Sequence, residues 1–365
     1  MSATGTPGAA VDVERRASLN GAKLAALVNG RWGATERRRG AIGATATLID
    51  PAPADDGVAR AGWVLADADA SAERALGPAL VWADRQQVTE LHLIADSGAG
   101  VAGTLARQAA AFTDPPDVWA VEGTSLVAAE PAPVPRRDDA PAPSELVDLL
   151  IDAGLEIVVE GGMVRGEING LEVARIVHGE TTAGEPIDAP RLEVGVGKAD
   201  RELTAMVHSG LPAVDQLGRV VAIVRGRRQA GAPRHPLNQL VPDRWLRAVL
   251  CRDPGLVGLA SLRPAEGARP RPNLSERDVA IATGAAEDGR PVVVACAVGI
   301  ALDLVPFAAD ARNAIEALAD PDGPSMRLLL AVPARDDHAT IRRLAARLRS
   351  PADVVLIPGD WRAAG

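Results

Sequence analysis

The stretch ELHLIADSGAGVAGTLARQAAAFTDPPDVWAV, residues 90–121, decides the fold class. It begins with an apolar run of strand length and passes through a glycine-containing turn into an alanine-rich helical segment. After two prolines it ends in a second short apolar run. A strand, helix and strand of this length fit a right-handed crossover between neighbouring parallel strands. The stretch therefore predicts an α/β fold, with mixed sheets flanked by helices.

The same order of elements recurs near the C-terminus. Residues 327–357 align with residues 91–121 without a gap, and the aligned pairs include Asp117 with Asp353. Two strand-like runs precede each stretch: ATATLID and GWVLAD before the first, DVAIATG and PVVVACAVG before the second. Hairpins followed by helices are typical of such runs when turn residues separate them. The sequence thus predicts an internal duplication of a hairpin–helix–strand–helix–strand module.

Two proline-rich stretches interrupt these patterns. Because proline disfavours helix interiors and cannot donate to a strand ladder, we expect both stretches to act as linkers. The predicted segments are a partly disordered N-terminal segment over 1–38, an α/β module over 39–130, a linker over 131–143, a β-meander plus helical module over 144–262, a linker over 263–275 and a second α/β module over 276–365.

The composition excludes several classes of protein. A content of 47% hydrophobic and 24% charged residues is typical of a globular chain, and no apolar run is long enough for a transmembrane helix. The N-terminus lacks the basic start and apolar core of a secretory signal, so we expect a cytoplasmic protein with free thiols at Cys251 and Cys296. A net charge of −9 and the absence of tyrosine argue against a general nucleic-acid binder. The abundance of Ala, Arg, Gly and Pro is typical of a bacterial gene rich in G and C.

The middle module carries a pair of candidate acids. A helical run, SELVDLLIDAG, precedes a predicted meander of EIVVEGG, MVRGEING and LEVARIVH, whose Gly-Gly and Asn-Gly pairs favour tight turns. After a loop, RLEVGVGKADRELTAM, residues 191–206, indicates a strand that enters a helix. Strict alternation places Glu193 on the face of Gly195, and Glu172 on the face of Ala174 in the preceding strand.

Residues 144–209 resemble the core of the PD-(D/E)xK nuclease superfamily, in which a helix, a three-strand meander and a second helix present two acids and a lysine. The resemblance implies that Glu172 and Glu193 bind a divalent metal such as Mg²⁺, which assists attack of water on a phosphodiester. The sequence departs from the pattern at Gly195, where the family has its lysine, so Lys198 would have to approach from the helix end. The alternative interpretation is a pair of surface carboxylates on a half-exposed sheet.

A basic segment stands out in this acidic chain. Residues 219–252, here called the Arg-rich segment, contain eight arginines and one aspartate. Guanidinium groups bind carboxylate and phosphate well, so the segment predicts a site for an anionic protein or nucleic acid partner. The candidate binding residues are Arg225, Arg227, Arg228, Arg234, His235, Arg244 and Arg247. In the alternative, structural interpretation the arginines complement a helix dipole, and Trp245 and Leu246 anchor a helix in the core.

Three functional hypotheses follow. The first is a non-catalytic cytoplasmic scaffold or binding protein without a cofactor and without a membrane partner, whose Arg-rich segment meets an anionic partner. The second is a divergent Mg²⁺-dependent nuclease with Glu172, Glu193 and Lys198 as catalytic candidates. The third is a small-molecule binder at a strand end near Asp96 or near Pro333. At the first position, Ser97 would otherwise be a simple helix N-cap. The five histidines show no metal-ligand spacing.

Overall fold

The computed structural model describes residues 7–42, 45–51, 59–66, 72–135, 140–181, 184–207, 212–269, 271, 273–319 and 325–364. Two compact units are formed, one from Met1–Pro133 with Arg343–Pro351 and one from Val134–Arg342 with Ala352–Gly365. The described part is α/β with three sheets flanked by helices, which confirms the predicted class. No helix in these ranges combines the length and the apolar character needed to cross a membrane.

The first unit is built on a six-stranded sheet. Its strands follow the chain order, and the central three are parallel while their outer neighbours are antiparallel. Its elements are α1 (Pro7–Trp32), β1 (Arg38–Ile42), β2 (Thr45–Ile49), β3 (Ala61–Ala66), α2 (Leu76–Gln86), β4 (Glu90–Ala95), α3 (Ala99–Ala109), β5 (Asp117–Glu122) and β6 (Ser125–Ala128).

Most of the described part of the N-terminal segment is the helix α1. The partial disorder expected over 1–38 stays a prediction. Leu24, Leu27 and Val28 of α1 are buried in a core with side chains of β2 and β3. These three positions follow the helical spacing of an apolar stripe, which the surrounding alanine, arginine and glycine residues hide in the sequence.

The second unit begins with an antiparallel four-stranded sheet. Its elements are α4 (Ser144–Asp152), β7 (Glu156–Glu160), β8 (Met163–Ile168), β9 (Leu171–Val177), β10 (Arg191–Val194), α5 (Gly197–Val207) and α6 (Ala213–Arg227). The predicted Asn-Gly turn joins β8 to β9, and both Asn169 (φ 48°) and Gly170 (φ 74°) adopt the left-handed conformation of a type I′ turn. One face of the sheet is apolar and packs against α4 and α6.

A five-stranded sheet completes the second unit. Its elements are α7 (Pro242–Arg252), β11 (Leu259–Ala265), β12 (Ala280–Ala286), β13 (Pro291–Cys296), α8 (Leu304–Ala319), β14 (Arg327–Pro333) and β15 (Asp353–Ile357). Helix α9 (Ala339–Ala346), between β14 and β15 in the chain, includes the boundary of the two units at Arg343. Helix α7 connects the two sheets, because Trp245 and Leu246 enter the core of the five-stranded sheet while Arg244 and Arg247 reach β8. The predicted linker 263–275 begins inside β11, an edge strand, where a proline is tolerated.

The two α/β sheets share part of their topology. In both, an antiparallel strand pair leads into three parallel strands linked by helices. Their register differs by one residue. In the first sheet His92 faces Asp117. In the second sheet the residue aligned with His92 is the one before Leu329, but Leu329 itself faces Asp353. The internal duplication therefore stays a prediction.

Candidate functional site

A β-bulge sets the positions of the two predicted acids. Gly166 of β8 faces Ala174 of β9, but the next residue, Glu167, faces Glu172, so Val173 is an extra residue in β9. The extra residue moves Glu172 away from the face of Ala174, where strict alternation had placed it. That prediction was wrong, and Glu172 shares the face of Glu167.

Glu193 lies on this same face. It is opposite Arg175 across β9 and β10, and its Oε2 lies 3.3 Å from the Arg175 Nε. Arg201 of α5 connects the two predicted acids, with Nη1 2.8 Å from Glu172 and Nε 4.0 Å from Glu193. Glu172 and Glu193 therefore approach each other through an arginine that lies between them.

The charges on this face form an ion-pair layer whose members are buried or half-buried. Its members are Glu160, Arg165, Glu167, Glu172, Arg175, Glu193, Arg201, Arg244 and Arg247. Glu167, only 1% exposed, accepts from Arg244 and Arg247 at 3.0 Å each. Burial alone would raise the pKa of Glu160, but the charges of Arg244 and Arg165 outweigh burial and hold that pKa below its ordinary value.

The layer is already neutralised by arginine. Each of its carboxylates contacts at least one guanidinium, so a Mg²⁺ ion at Glu172 or Glu193 would have to displace an arginine. Among the described residues, neither acid belongs to a group of three metal-ligating side chains. Metal binding at these acids, and with it the nuclease hypothesis, stays a prediction without support from this geometry.

The end of β10 also differs from the expected strand. Gly195 lies just beyond β10 with φ 140°, and a Cβ there would lie 2.9 Å from the Arg201 backbone nitrogen. Glycine at this position lets the first turn of α5 approach the strand and brings Arg201 over the sheet. Lys198 points elsewhere: its side chain is 72% exposed and pairs with Glu202.

Three arginines of the Arg-rich segment are structural. Arg244 and Arg247 belong to the ion-pair layer, so they are not available to a partner. Arg228 is fully buried and donates to five backbone carbonyls, those of 168, 169, 237, 240 and 241. Burial lowers the pKa of Arg228 to about 9, while its carbonyl acceptors favour the charged form. The contacts of these three residues support a structural role, through ion pairs and carbonyl acceptors, and their predicted binding role stays a prediction.

The other candidates divide by exposure. Arg225 is exposed and donates to the carbonyls of Ala153 and Gly154 at the end of α4. His235 accepts from the Leu237 amide and caps a short 3₁₀ helix. Arg227 is exposed at the end of α6.

Arg234 contributes to a cavity of about 380 Å³ in the second unit. The cavity lies where the loop after α6 meets the C-terminal residues, and its lining includes Arg234, Asn238, Trp245, Asp360 and Arg362. Within the described part of the chain, neither Arg234 nor Arg362 forms an ion pair with a carboxylate. This cavity is the candidate functional site.

The polar groups of the cavity are incompletely satisfied. The Trp245 indole nitrogen and the Arg362 Nε are buried and have no hydrogen-bond partner among the described residues. The guanidinium of Arg362 stacks on Trp245 at 4.8 Å from the ring centroid. Burial and the charge of Arg335 together lower the pKa of Arg362. The cavity thus holds two guanidinium groups against one carboxylate, that of Asp360, and an excess of guanidinium is typical of sites that bind anions.

Sequence reasoning found one side of this cavity and missed the other. Arg362 and Arg335 lie more than 80 residues beyond the Arg-rich segment, and no spacing rule connects them to it. The one local signal was Trp361-Arg362 after the last strand, an aromatic–arginine pair in a chain with 2% aromatic residues. A second correction concerns the strand end near Asp96, where the N-cap of α3 is Gly98 instead of Ser97 and Lys23 contacts Asp96 at 2.5 Å.

The sequence and the structure were compared with known proteins. No family model and no curated protein matches the sequence, and no solved structure matches the fold.

Proposed function

We propose that this protein is a binding protein for an anionic ligand, which it holds in the cavity lined by Arg234, Trp245 and Arg362. The observation that carries the proposal is the pair of guanidinium groups without a carboxylate partner in the described part of the chain, beside the unsatisfied nitrogen of Trp245. The proposal keeps the anionic partner expected from the Arg-rich segment but assigns it to one exposed arginine of that segment and to the C-terminal Arg362. A cytoplasmic location remains part of the proposal.

Size and chemistry restrict the ligand. A cavity of about 380 Å³ lies at the small end of ligand sites, which span roughly 300–1,000 Å³. Planar guanidinium groups bind phosphate or carboxylate through paired hydrogen bonds. Trp245 is only 2% exposed and offers a ligand little surface, since the guanidinium groups of Arg228 and Arg362 lie over its ring. We therefore propose a compact ligand, or a compact group on a larger partner, that carries phosphate or carboxylate.

Isothermal titration calorimetry with pyrophosphate and with citrate, each against the full chain, tests this proposal. We expect saturable binding at one site per chain that weakens as salt is added, because exposed charges are screened. Arg362→Gln and Arg234→Gln should each reduce the affinity about 10-fold or more, since a charged hydrogen bond contributes roughly 1.5–3 kcal/mol.

The matched control is Arg227→Gln. Arg227 belongs to the same segment and is exposed, but it does not line the cavity, so its substitution should leave the affinity within about twofold. Equal losses in all three variants would indicate diffuse attraction to basic surface and refute a site in the cavity. Absence of binding to both anions at millimolar concentration would refute it as well.

A further inference from the structure

His92 is the most unusual buried polar residue of the first unit. It is only 2% exposed and belongs to β4, beneath the C-terminal end of α1. Three tryptophans surround it: Trp32, Trp63 and Trp119, with ring centroids 4.8, 5.5 and 6.2 Å away. Half of the six tryptophans in this chain thus gather around one imidazole.

Two carboxylates reach the edges of this imidazole. Glu90, the first residue of β4, places Oε1 3.3 Å from Nε2, and Asp117, the first residue of β5, places Oδ2 3.3 Å from Nδ1. Although Nε2 is buried and close to Glu90, it makes no hydrogen bond of acceptable geometry within the described part of the chain. The parallel pairing of β4 with β5, which sets His92 opposite Asp117, brings the three residues together.

The spacing suits ligands of one cation. One ligand atom from each of Glu90, His92 and Asp117 can be chosen so that all three lie within 4.8 Å of one another. Two atoms bound to the same zinc ion at about 2.0–2.2 Å in tetrahedral geometry are roughly 3.3–3.6 Å apart. The Nε2–Glu90 separation of 3.3 Å is close to that distance. The exposed side chains of Glu90 and Asp117 can adjust, while His92 is fixed by its burial.

We propose that Glu90, His92 and Asp117 form a binding site for a divalent transition-metal cation of the zinc type. A nitrogen with two carboxylate oxygens fits Zn²⁺ better than Mg²⁺ or Ca²⁺, which prefer oxygen ligands alone. In that complex the exposed Asp117 side chain would turn from Nδ1 to the cation at Nε2, and Nδ1 would carry the ring proton. The indole N–H of Trp119, now 3.4 Å from Nδ1, would give up that contact.

The electrostatic surroundings favour this cation. A cavity of about 690 Å³ opens beside the strand starts and is lined by Glu90, Asp117, Asp84, Asp114 and Arg347. Four carboxylates line it against one guanidinium, so the potential in the cavity attracts a cation. Burial lowers the pKa of His92 and outweighs the opposite effects of Asp117 and Glu90.

The test is titration of the EDTA-treated full chain with Zn²⁺ by calorimetry, and with Co²⁺ by tryptophan fluorescence. We expect one Zn²⁺ per chain with a dissociation constant in the micromolar range or below. We also expect Co²⁺ to quench the emission, because three tryptophans surround His92. The substitutions Glu90→Gln and Asp117→Asn change side chains that are 52% and 61% exposed, so both variants should fold. Each should weaken Zn²⁺ binding at least 10-fold and reduce the Co²⁺ quenching in parallel.

Glu122→Gln is the matched control, because Glu122 is an exposed acid at the other end of β5. It should bind Zn²⁺ like the unmodified chain. The proposal is overturned if the unmodified chain binds no Zn²⁺ at 100 µM, or if Glu90→Gln and Asp117→Asn bind as tightly as Glu122→Gln does. The anion-binding proposal is unaffected by either result, since its site lies in the other unit.

Discussion

Removal of the Glu167 charge is expected to destabilise the second unit strongly. Glu167 is 1% exposed and is held by Arg244 and Arg247, which are themselves buried. The substitution Glu167→Gln keeps the shape but leaves two guanidinium groups without their shared carboxylate. Arg244 retains Glu160, whereas Glu167 is the one carboxylate within salt-bridge distance of Arg247 among the described residues.

The expected loss is about 3–5 kcal/mol in the free energy of unfolding, as found when one partner of a buried ion pair is removed. Glu156→Gln is the matched control. Glu156 faces Glu167 directly across β7 and β8, but its pair with Arg252 is partly exposed, so about 0–1 kcal/mol is expected.

Urea unfolding followed by circular dichroism measures the difference. With a slope of roughly 1–3 kcal/mol per molar urea, Glu167→Gln should lower the midpoint of its transition by about 1 M or more. Hydrogen exchange of peptides from β8 and β9 assigns the loss to the second unit. A triple variant, Glu167→Leu with Arg244→Met and Arg247→Leu, should recover most of the stability, because it removes the three charges together and leaves Glu160 paired with Arg165.

Two results would contradict this reasoning. If Glu167→Gln and Glu156→Gln differ by less than about 1 kcal/mol, the ion-pair layer is as well hydrated as a surface pair. If the triple variant is less stable than Glu167→Gln, packing of the arginine side-chain stems stabilises the fold by more than burial of their charges destabilises it.

Three further outcomes are expected. Burial raises the pKa of Cys251 to about 11, so DTNB at pH 8 should modify it roughly 200-fold more slowly than a free thiol. The reaction rate of Cys251 should still rise above pH 9, where that of a free thiol levels off. A plateau of the rate near pH 8.5 would contradict this prediction. Arg228→Lys should lower the free energy of unfolding in urea by about 2 kcal/mol or more, because lysine has three donors for five carbonyls. The control Arg227→Lys should change that free energy by less than about 0.5 kcal/mol. Gly284→Ala should lower the melting temperature, because its Cβ would lie 1.9 Å from a backbone oxygen of β11. The control Gly359→Ala places its Cβ in open space and should leave the melting temperature unchanged. Equal melting temperatures of the two variants would show that β11 moves aside at little cost.

The strands with clear apolar runs could be predicted, and those without them could not. The hairpins, the meander and the strand–helix–strand units all carried hydrophobic patterns bounded by turn residues. Strand β1, with sequence RRGAI, is almost fully exposed and has no alternation, so nothing marked it as a strand. Strand β11 was missed because its Pro264 suggested a linker, although an edge strand accepts proline.

The sites depended on pairing, which the sequence does not specify. His92 and Asp117 are 25 positions apart, and both lay in predicted strands, yet only the register of β4 against β5 brings them together. Composition correctly indicated excess arginine in residues 219–252, but burial decided which arginines remain available. A guanidinium with carboxylate or carbonyl partners and one without them look identical in a sequence.

The single extra residue in β9 has a consequence for how this chain tolerates changes in length. Because Val173 is the extra residue, its deletion would restore regular pairing and leave Glu172 opposite Glu167, on the face of Arg165 and Arg201. The apolar core would lose the Val173 side chain, whereas the ion-pair layer would keep its members. In related sequences, this strand should therefore change length at Val173 more readily than elsewhere, where a one-residue change would turn the side chains beyond it to the opposite face.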